Sequence, residues 1–524
     1  MATTLDSQNL ELSVADFGPI DKAKIDLRPL TIFVGPSNTG KSYMAILIYA
    51  LHQFFSAYSG GKGLRASSRM IQRQRFDWSE NDISNLSAWA EETIADLETT
   101  KSEDPYSIEL PEFVDSLVRP ILNNVAHLRE NLDNEIARCF GVDKTKNLVR
   151  YPSSNRAKIS LCSNLLRDSV LGNVADEPGD NSSFKYEVIA TEQEVNFDAS
   201  ISNIIPLRIE MNKNAQPPNP WWLMIHEMMW NKDDDVKKLI ANELCTSIVQ
   251  SVVSNIIDPL NRPAHYLPAD RAGVMHAHQV AVRGLIASAS RVALRRDSPM
   301  PVLSGVLGDF LEQLVALASS SPTRREPEGD NDLALRMEQA LLQGIVRVER
   351  SEIDYPSFVY RPEGWEKDLP LMNASSMVSE LAPVVLYLRH VVRPGDLLII
   401  EEPESHLHPA MQVEFVRQLA VAVKSGIRIL ITTHSEWVLE ELANLVRLSE
   451  LPVERRKGID DPDVALSPEE IGAWLFERGA KNSGSVVLEM PLDVESGTFS
   501  AGFGLITEGL YNRWAEISNR IEEG

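Results

Sequence analysis

The sequence predicts an α/β protein. Three observations carry that expectation. A compact apolar run, "LTIFVG", leads through a glycine-bounded loop into the apolar helix-like stretch "YMAILIYALHQFF". A second apolar run, "LLII", ends in two adjacent carboxylates, Glu401 and Glu402. A third, in "IRILITTHSEWVLEEL", ends at Thr432-Thr433-His434-Ser435 and runs on into helix-like spacing. Short apolar runs bounded by turn residues read as buried strands.

The elements follow in chain order. "LELSVADFGPIDKAKIDL" alternates as a strand pair with a turn at Gly18-Pro19. The loop after "LTIFV" reads Gly35-Pro36-Ser37-Asn38-Thr39-Gly40-Lys41-Ser42, the pattern G-x-x-x-x-G-K-[ST] between a strand and a helix. That order has a chemical reason. Glycine lets backbone amides curl around a diphosphate, and the helix N-terminus adds partial positive charge. Lys41 supplies a point charge to the terminal phosphates of ATP, and Ser42 a hydroxyl to Mg2+. In "GDLLIIEEPESHLHP", Glu401 sits where a metal-holding carboxylate belongs, and Glu402 where a base that orients water belongs. His434, at the third strand tip, is placed to meet a γ-phosphate or position the water. Lys41, Glu402 and His434 are therefore the candidate catalytic residues. Upstream, "NASSMVSELAPVVLYLRHVV" opens an amphipathic helix with Ser375 and Ser376, good N-cap residues.

The bulk numbers bound the rest. The 524 residues, 43% hydrophobic, suffice for roughly two to four structural units. Fifty-one basic against 75 acidic residues give a net charge of −24, which excludes a general nucleic-acid coat. Cys139, Cys162 and Cys245 fit no metal spacing and suit a reducing cytoplasm. The first residues show no secretory signal, and no apolar run is long enough for a membrane span. In "WWLMIHEMMW" the place of a second zinc histidine is taken by Trp230, so the stripe reads as core or as a contact for a partner helix.

The order P-loop, serine-rich helix start, "LLIIEEPESHLHP" and "ITTHS" resembles the ABC-type ATPase heads, and among them the OLD, RecF-like and PtuA-like ATPases of bacteria. The resemblance spans about residues 8–55 and 345–445. It implies a P-loop NTPase of ABC-head type, a mixed sheet with flanking helices, that dimerises or oligomerises around two ATP molecules. It makes Gly35 to Ser42 the Walker A loop, Glu401-Glu402 the Walker B end and His434 the switch histidine. Ser375-Ser376 becomes a degenerate signature that meets the other subunit's γ-phosphate, and Ser405 to His408 a loop that crosses between subunits. Two departures stand out: glutamate replaces the usual Walker B aspartate, and "SSMVSE" lacks the signature's glycines.

The expected organisation is an N-terminal half-head at 1–60 and an inserted lobe of helices and strands at 61–345. A C-terminal half-head follows at 346–445, and a small α+β appendix at 446–524. "HYLPADRAG" ends a strand at Asp270-Arg271, with Arg271 either a phosphate or partner sensor or one half of a salt bridge. Three basic clusters are candidate DNA contacts, or pair with the chain's own carboxylates: Arg65, Arg69, Arg73 and Arg75; Arg291, Arg295 and Arg296; Arg455, Arg456 and Lys457. OLD-type proteins often carry a metal-dependent nuclease domain at this end. The 446–524 stretch has no acidic strand-end cluster for one. The resemblance thus points to an ATPase controlling a separate effector, a nuclease or toxin, in antiphage defence. A DNA-maintenance ATPase and a nucleotide-holding scaffold are the alternatives.

Overall fold

The computed structural model describes residues 10–56, 78–99, 106–109, 111–114, 116, 129–150, 156–163, 184–191, 195–201, 208–211, 220–256, 259–278, 303–319, 333–350, 356–456, 458–459, 464–479, 483–493, 498–499, 511–515 and 517. The clusters at Arg65–Arg75 and Arg291–Arg296, and Lys457, lie outside the described residues.

One eleven-stranded sheet organises the molecule. Its strands are β1 (Leu10–Phe17), β2 (Ile20–Asp26), β3 (Leu30–Val34), β4 (Arg156–Ser163), β5 (Phe184–Thr191), β6 (Val195–Ile201), β7 (Ala264–Leu267), β8 (Leu397–Glu401), β9 (Arg428–Thr433), β10 (Ile471–Arg478) and β11 (Ser485–Glu489). The order across the sheet is β6-β5-β4-β1-β2-β11-β10-β3-β9-β8-β7. From β10 to β7 the strands run parallel. From β6 to β2 every pair is antiparallel. Between the two halves, β11 pairs antiparallel with β10 and parallel with β2. The sheet is therefore mixed, as expected for the class.

Besides a helical stretch at 271–278, nine helices of eight residues or more are described. They are α1 (Lys41–Ser56), α2 (Glu80–Thr99), α3 (Arg129–Phe140), α4 (Pro220–Trp230), α5 (Asp234–Ile256), α6 (Gly305–Ser319), α7 (Ser376–His390), α8 (Pro409–Lys424) and α9 (Glu436–Glu450). The two-residue period of the strands sorts their side chains into two apolar layers. Phe33, Leu397, Ile399, Leu430, Trp474 and Phe476 face the layer that holds α1 and the inserted helices. Leu30, Ile32, Val34, Leu398, Ile400, Ile429 and Ile431 face the layer that holds α7, α8 and α9. Burial on both faces explains why the central strands read as unbroken apolar runs rather than alternating ones.

Two placements go beyond what the sequence shows. Of the strands between residues 61 and 345, β4 to β6 extend one edge of the main sheet and β7 forms the other. The C-terminal strands β10 and β11 fill the slot between β2 and β3, at the centre of the sheet. In the helix that carries the Met/Trp stripe, Ile225 and Met228 are buried and Trp230 is 70% exposed. No described helix is long and apolar enough to cross a membrane.

Candidate nucleotide site

The site lies at the C-terminal ends of the parallel strands, where open α/β sheets place their ligands. The loop after β3 turns through Gly35 at φ 137°, Asn38 at 62° and Gly40 at 102°. Gly35 is fixed twice over. Its φ excludes other residues, and a Cβ there would strike the Phe476 carbonyl of β10. Thr39 Oγ1 donates to Pro36 O at 2.8 Å, which closes the loop, and Met44 N donates to Gly40 O at 2.9 Å, which starts α1. Pro36, Ser37, Asn38 and Ser42 are exposed around this turn, while Gly35, Thr39, Gly40 and Lys41 are buried.

Lys41 Nζ lies 2.8 Å from Gly35 O, 2.9 Å from Pro36 O and 3.0 Å from His434 Nε2. Burial lowers its pKa to about 8, against the upward pull of Glu402, Glu404 and Glu401. An ammonium only donates, so His434 Nε2 accepts and the ring proton sits on Nδ1. Burial and the Lys41 charge both lower the His434 pKa, in keeping with a neutral ring. Glu402 Oε1 is 3.7 Å from the same Nε2. Lys41 and His434 are 393 positions apart in the chain. The parallel pairing of β9 with β3 brings them together, and that of β8 with β9 adds Glu402.

Glu402 occupies left-handed backbone, φ 41°, which a β-carbon disfavours. Its amide is held by Thr432 O at 2.9 Å and Thr432 Oγ1 at 3.2 Å. Glu401 is 7% exposed. Its Oε2 accepts from Ala269 N at 3.3 Å, and its Oε1 is buried with no well-formed hydrogen bond. Burial, then the Glu401 charge, holds the neighbouring Tyr266 phenol far above its usual range. An under-satisfied buried carboxylate at a strand tip fits a divalent cation. Mg2+ takes few protein ligands and completes its shell with water and phosphate oxygens. Among the described residues no group of three or more His, Cys, Asp or Glu forms an all-protein cage.

Ser375 and Ser376 are not drawn into this cluster. Ser375 caps α7, accepting from Val378 N at 3.3 Å, and both serines are exposed. Arg271, read from sequence as sensor or salt bridge, is 0% exposed and lies 3.2 Å from Glu380. Of the third basic cluster, Arg456 donates to Leu451 O and Ser449 O.

Three contributors escaped the sequence reading. Glu404 Oε1 accepts from Thr433 Oγ1 at 2.8 Å and from the His434 amide at 2.6 Å, fixing the histidine's backbone. Burial raises the Glu404 pKa. Arg478, at the end of β10, donates to Ser37 O at 3.2 Å and puts a cation on the outer side of the loop. Glu380 stands on α7. Only Glu404 had a usable signal, its place inside "PESHLHP".

Residues 246–440 match the model of a family described as "AAA domain, putative AbiEii toxin, Type IV TA system". The match takes in the acidic strand end and His434, and begins after the Walker A loop. That similarity supports an ATPase of P-loop type. No curated protein matches the chain. Solved structures similar to it include an SMC head bound to the C-terminal winged-helix domain of ScpA, at 8% identity and TM-score 0.37, over 93% of this chain and 99% of that one. A second is an SMC head with an extended coiled coil bound to the C-terminal domain of ScpA, from Pyrococcus furiosus. It has 9% identity and TM-score 0.37, over 93% and 96%. A third is the SMC head domain from Thermotoga maritima, at 11% identity and TM-score 0.33, over 92% and 99%.

Proposed function

We propose that this chain is an ATP-hydrolysing switch. Two copies close around ATP, hydrolysis lets them part, and the change of state controls a separate effector, a nuclease or toxin, in bacterial antiphage defence. The observation that carries the hydrolytic reading is the convergence of Lys41, His434 and Glu402 within 3.7 Å contacts at the strand ends.

Each residue then has a task. Gly35 to Gly40 present amides to the phosphates. Lys41 exchanges its carbonyl and histidine partners for phosphate oxygens. Glu402, with its side chain 44% accessible, orients the attacking water and receives its proton, and His434 lies beside it. Ser42 and Glu401 would hold Mg2+, which neutralises charge on the phosphate oxygens. Ser375 and Ser376 face outward at the start of α7, which suits a contact made by one copy on the other's nucleotide. The effector role rests on the sequence resemblance and on the toxin–antitoxin wording of the matched family.

Two sequence features favour a second reading, a nucleotide-holding scaffold: Glu401 in place of the usual aspartate, and "SSMVSE" without the signature's glycines. One experiment separates the two. Purified wild type and Glu402→Gln are assayed for ATP binding and hydrolysis. The switch requires turnover in the wild type, and a fall of about 10²–10⁴-fold in kcat with binding kept in the variant. Binding without turnover in both supports the scaffold.

A further inference from the structure

Arg271 is the most deeply buried cation of the described residues, and its hydrogen bonds go mainly to backbone. Nη1 donates to Glu401 O at 2.6 Å and Pro268 O at 3.3 Å. Nη2 donates to Glu402 O at 3.4 Å, and Nε to Glu380 O at 3.0 Å. The Glu380 carboxylate sits 3.2 Å from Nε. One planar guanidinium thus joins three elements: the turn after β7, the turn after β8 and the first turns of α7. The neighbourhood repeats the tie. His276 Nε2 is 3.1 Å from Ser379 Oγ, and His406 Nε2, from the loop after β8, is 3.9 Å from Glu380 Oε1.

A buried ion pair on its own contributes little net stability. This one differs in what it grips. Two of its partners are the carbonyls of Glu401 and Glu402, and Glu402 is the residue held in left-handed backbone, φ 41°. Such a conformation persists only where the surroundings over-determine it. Thr432 holds the Glu402 amide, and Arg271 holds the carbonyl. On the far side Arg271 holds Glu380, little more than one helical turn past the Ser375 cap.

We propose that Arg271 is a positioning residue that couples the Glu401–Glu402 turn to the start of α7, so that nucleotide at the P-loop is felt at Ser375 and Ser376. This rests on the nucleotide reading above. The physical basis is a rigid planar group with fixed donors. A shift of the Glu402 carbonyl moves the guanidinium, and the guanidinium moves Glu380 with the helix that carries it.

The test is amide hydrogen exchange with and without the ATP analogue adenylyl imidodiphosphate plus Mg2+, on the full chain, alongside steady-state hydrolysis. With Arg271 present, the analogue slows exchange in peptides covering 35–45, 399–406 and 375–381. In Arg271→Gln, protection at 35–45 persists and protection at 375–381 is lost. Its kcat falls about tenfold or more while ATP affinity stays within about threefold. A purely structural arginine would leave the 375–381 response in place in a folded variant, and that result overturns the proposal. Should Arg271→Gln fail to fold, Glu380→Gln decides. It removes the ion pair and keeps the carbonyl bonds, and it is expected to lose about half of the 375–381 protection. Full protection there overturns the coupling. A wild-type chain whose 35–45 peptide ignores the analogue sinks the nucleotide reading and this inference together, and the P-loop peptide identifies that failure.

Discussion

Lys41 carries three donor hydrogens and has three partners, Gly35 O, Pro36 O and His434 Nε2. Burial holds its pKa near 8, below the 10.5 of a free lysine. Between those two values the unfolded chain binds more protons than the folded one, so this group's contribution to stability rises with pH through that window. ATP binding runs the other way, because phosphate favours the charged amine. At pH 8.5, calorimetry in buffers of different ionisation enthalpy should show proton uptake on ATP binding. ATP affinity should also fall as the pH climbs past 8. Lys41→Arg, whose cation does not titrate, should show no uptake. Equal heats in all buffers for the wild type would remove Lys41 from the phosphate site. At Glu401, substitution by Ala should raise the Mg2+ concentration needed for half-maximal hydrolysis at least tenfold, with ADP affinity measured without metal unchanged.

At the scale of elements, the P-loop and the tail strand β10 form one unit. Gly35 packs its backbone onto Phe476, and Arg478 reaches back to Ser37. Gly35→Ala should cost about 3 kcal/mol in denaturant unfolding and abolish ATP binding, because both the φ and the approach to β10 are lost. A variant as stable as the wild type would show that β10 does not press on this glycine. This union also marks where sequence reasoning stopped. The strand–loop–helix turn at Gly35 to Ser42 was legible because glycine, lysine and serine at fixed spacing have a direct chemical meaning. Glu402 and His434 were legible because each ends an apolar run. β10 carried strand character, but nothing in "GAWLFER" states which strand it joins. Arg271 and Glu380 were illegible as a pair for the same reason: their meeting depends on tertiary packing that brings the residue after β7 to α7.

For the whole molecule, the charge of −24 sets a long-range repulsion between copies. The proposed closure around ATP therefore works against the field of the chain itself, and salt should assist it. Light scattering on Glu402→Gln with ATP and Mg2+ should show a doubled mass. The dimer fraction should rise as ionic strength goes from about 0.05 to 0.3 M, where screening shortens the reach of the repulsion. A monomer at every salt concentration would leave the ATPase without its dimer switch. Of the expectations at this scale, the mixed sheet with flanking helices is what the structure shows. The DNA question turned on arginine clusters of which only Arg455 and Arg456 lie among the described residues.

The seat of β10 and β11 also dictates when the sheet can be completed during synthesis. β3 is made early, yet its neighbours β9 and β10 begin at Arg428 and Ile471. At ribosomal speeds of roughly 5–20 residues per second, β3 waits roughly 20 seconds to a minute and a half for its flanks. Until then its five buried residues have no neighbouring strand to pair with. A chain released before β10 emerges lacks the strand that packs against Gly35. The central order of the sheet is complete only once β10 has been made.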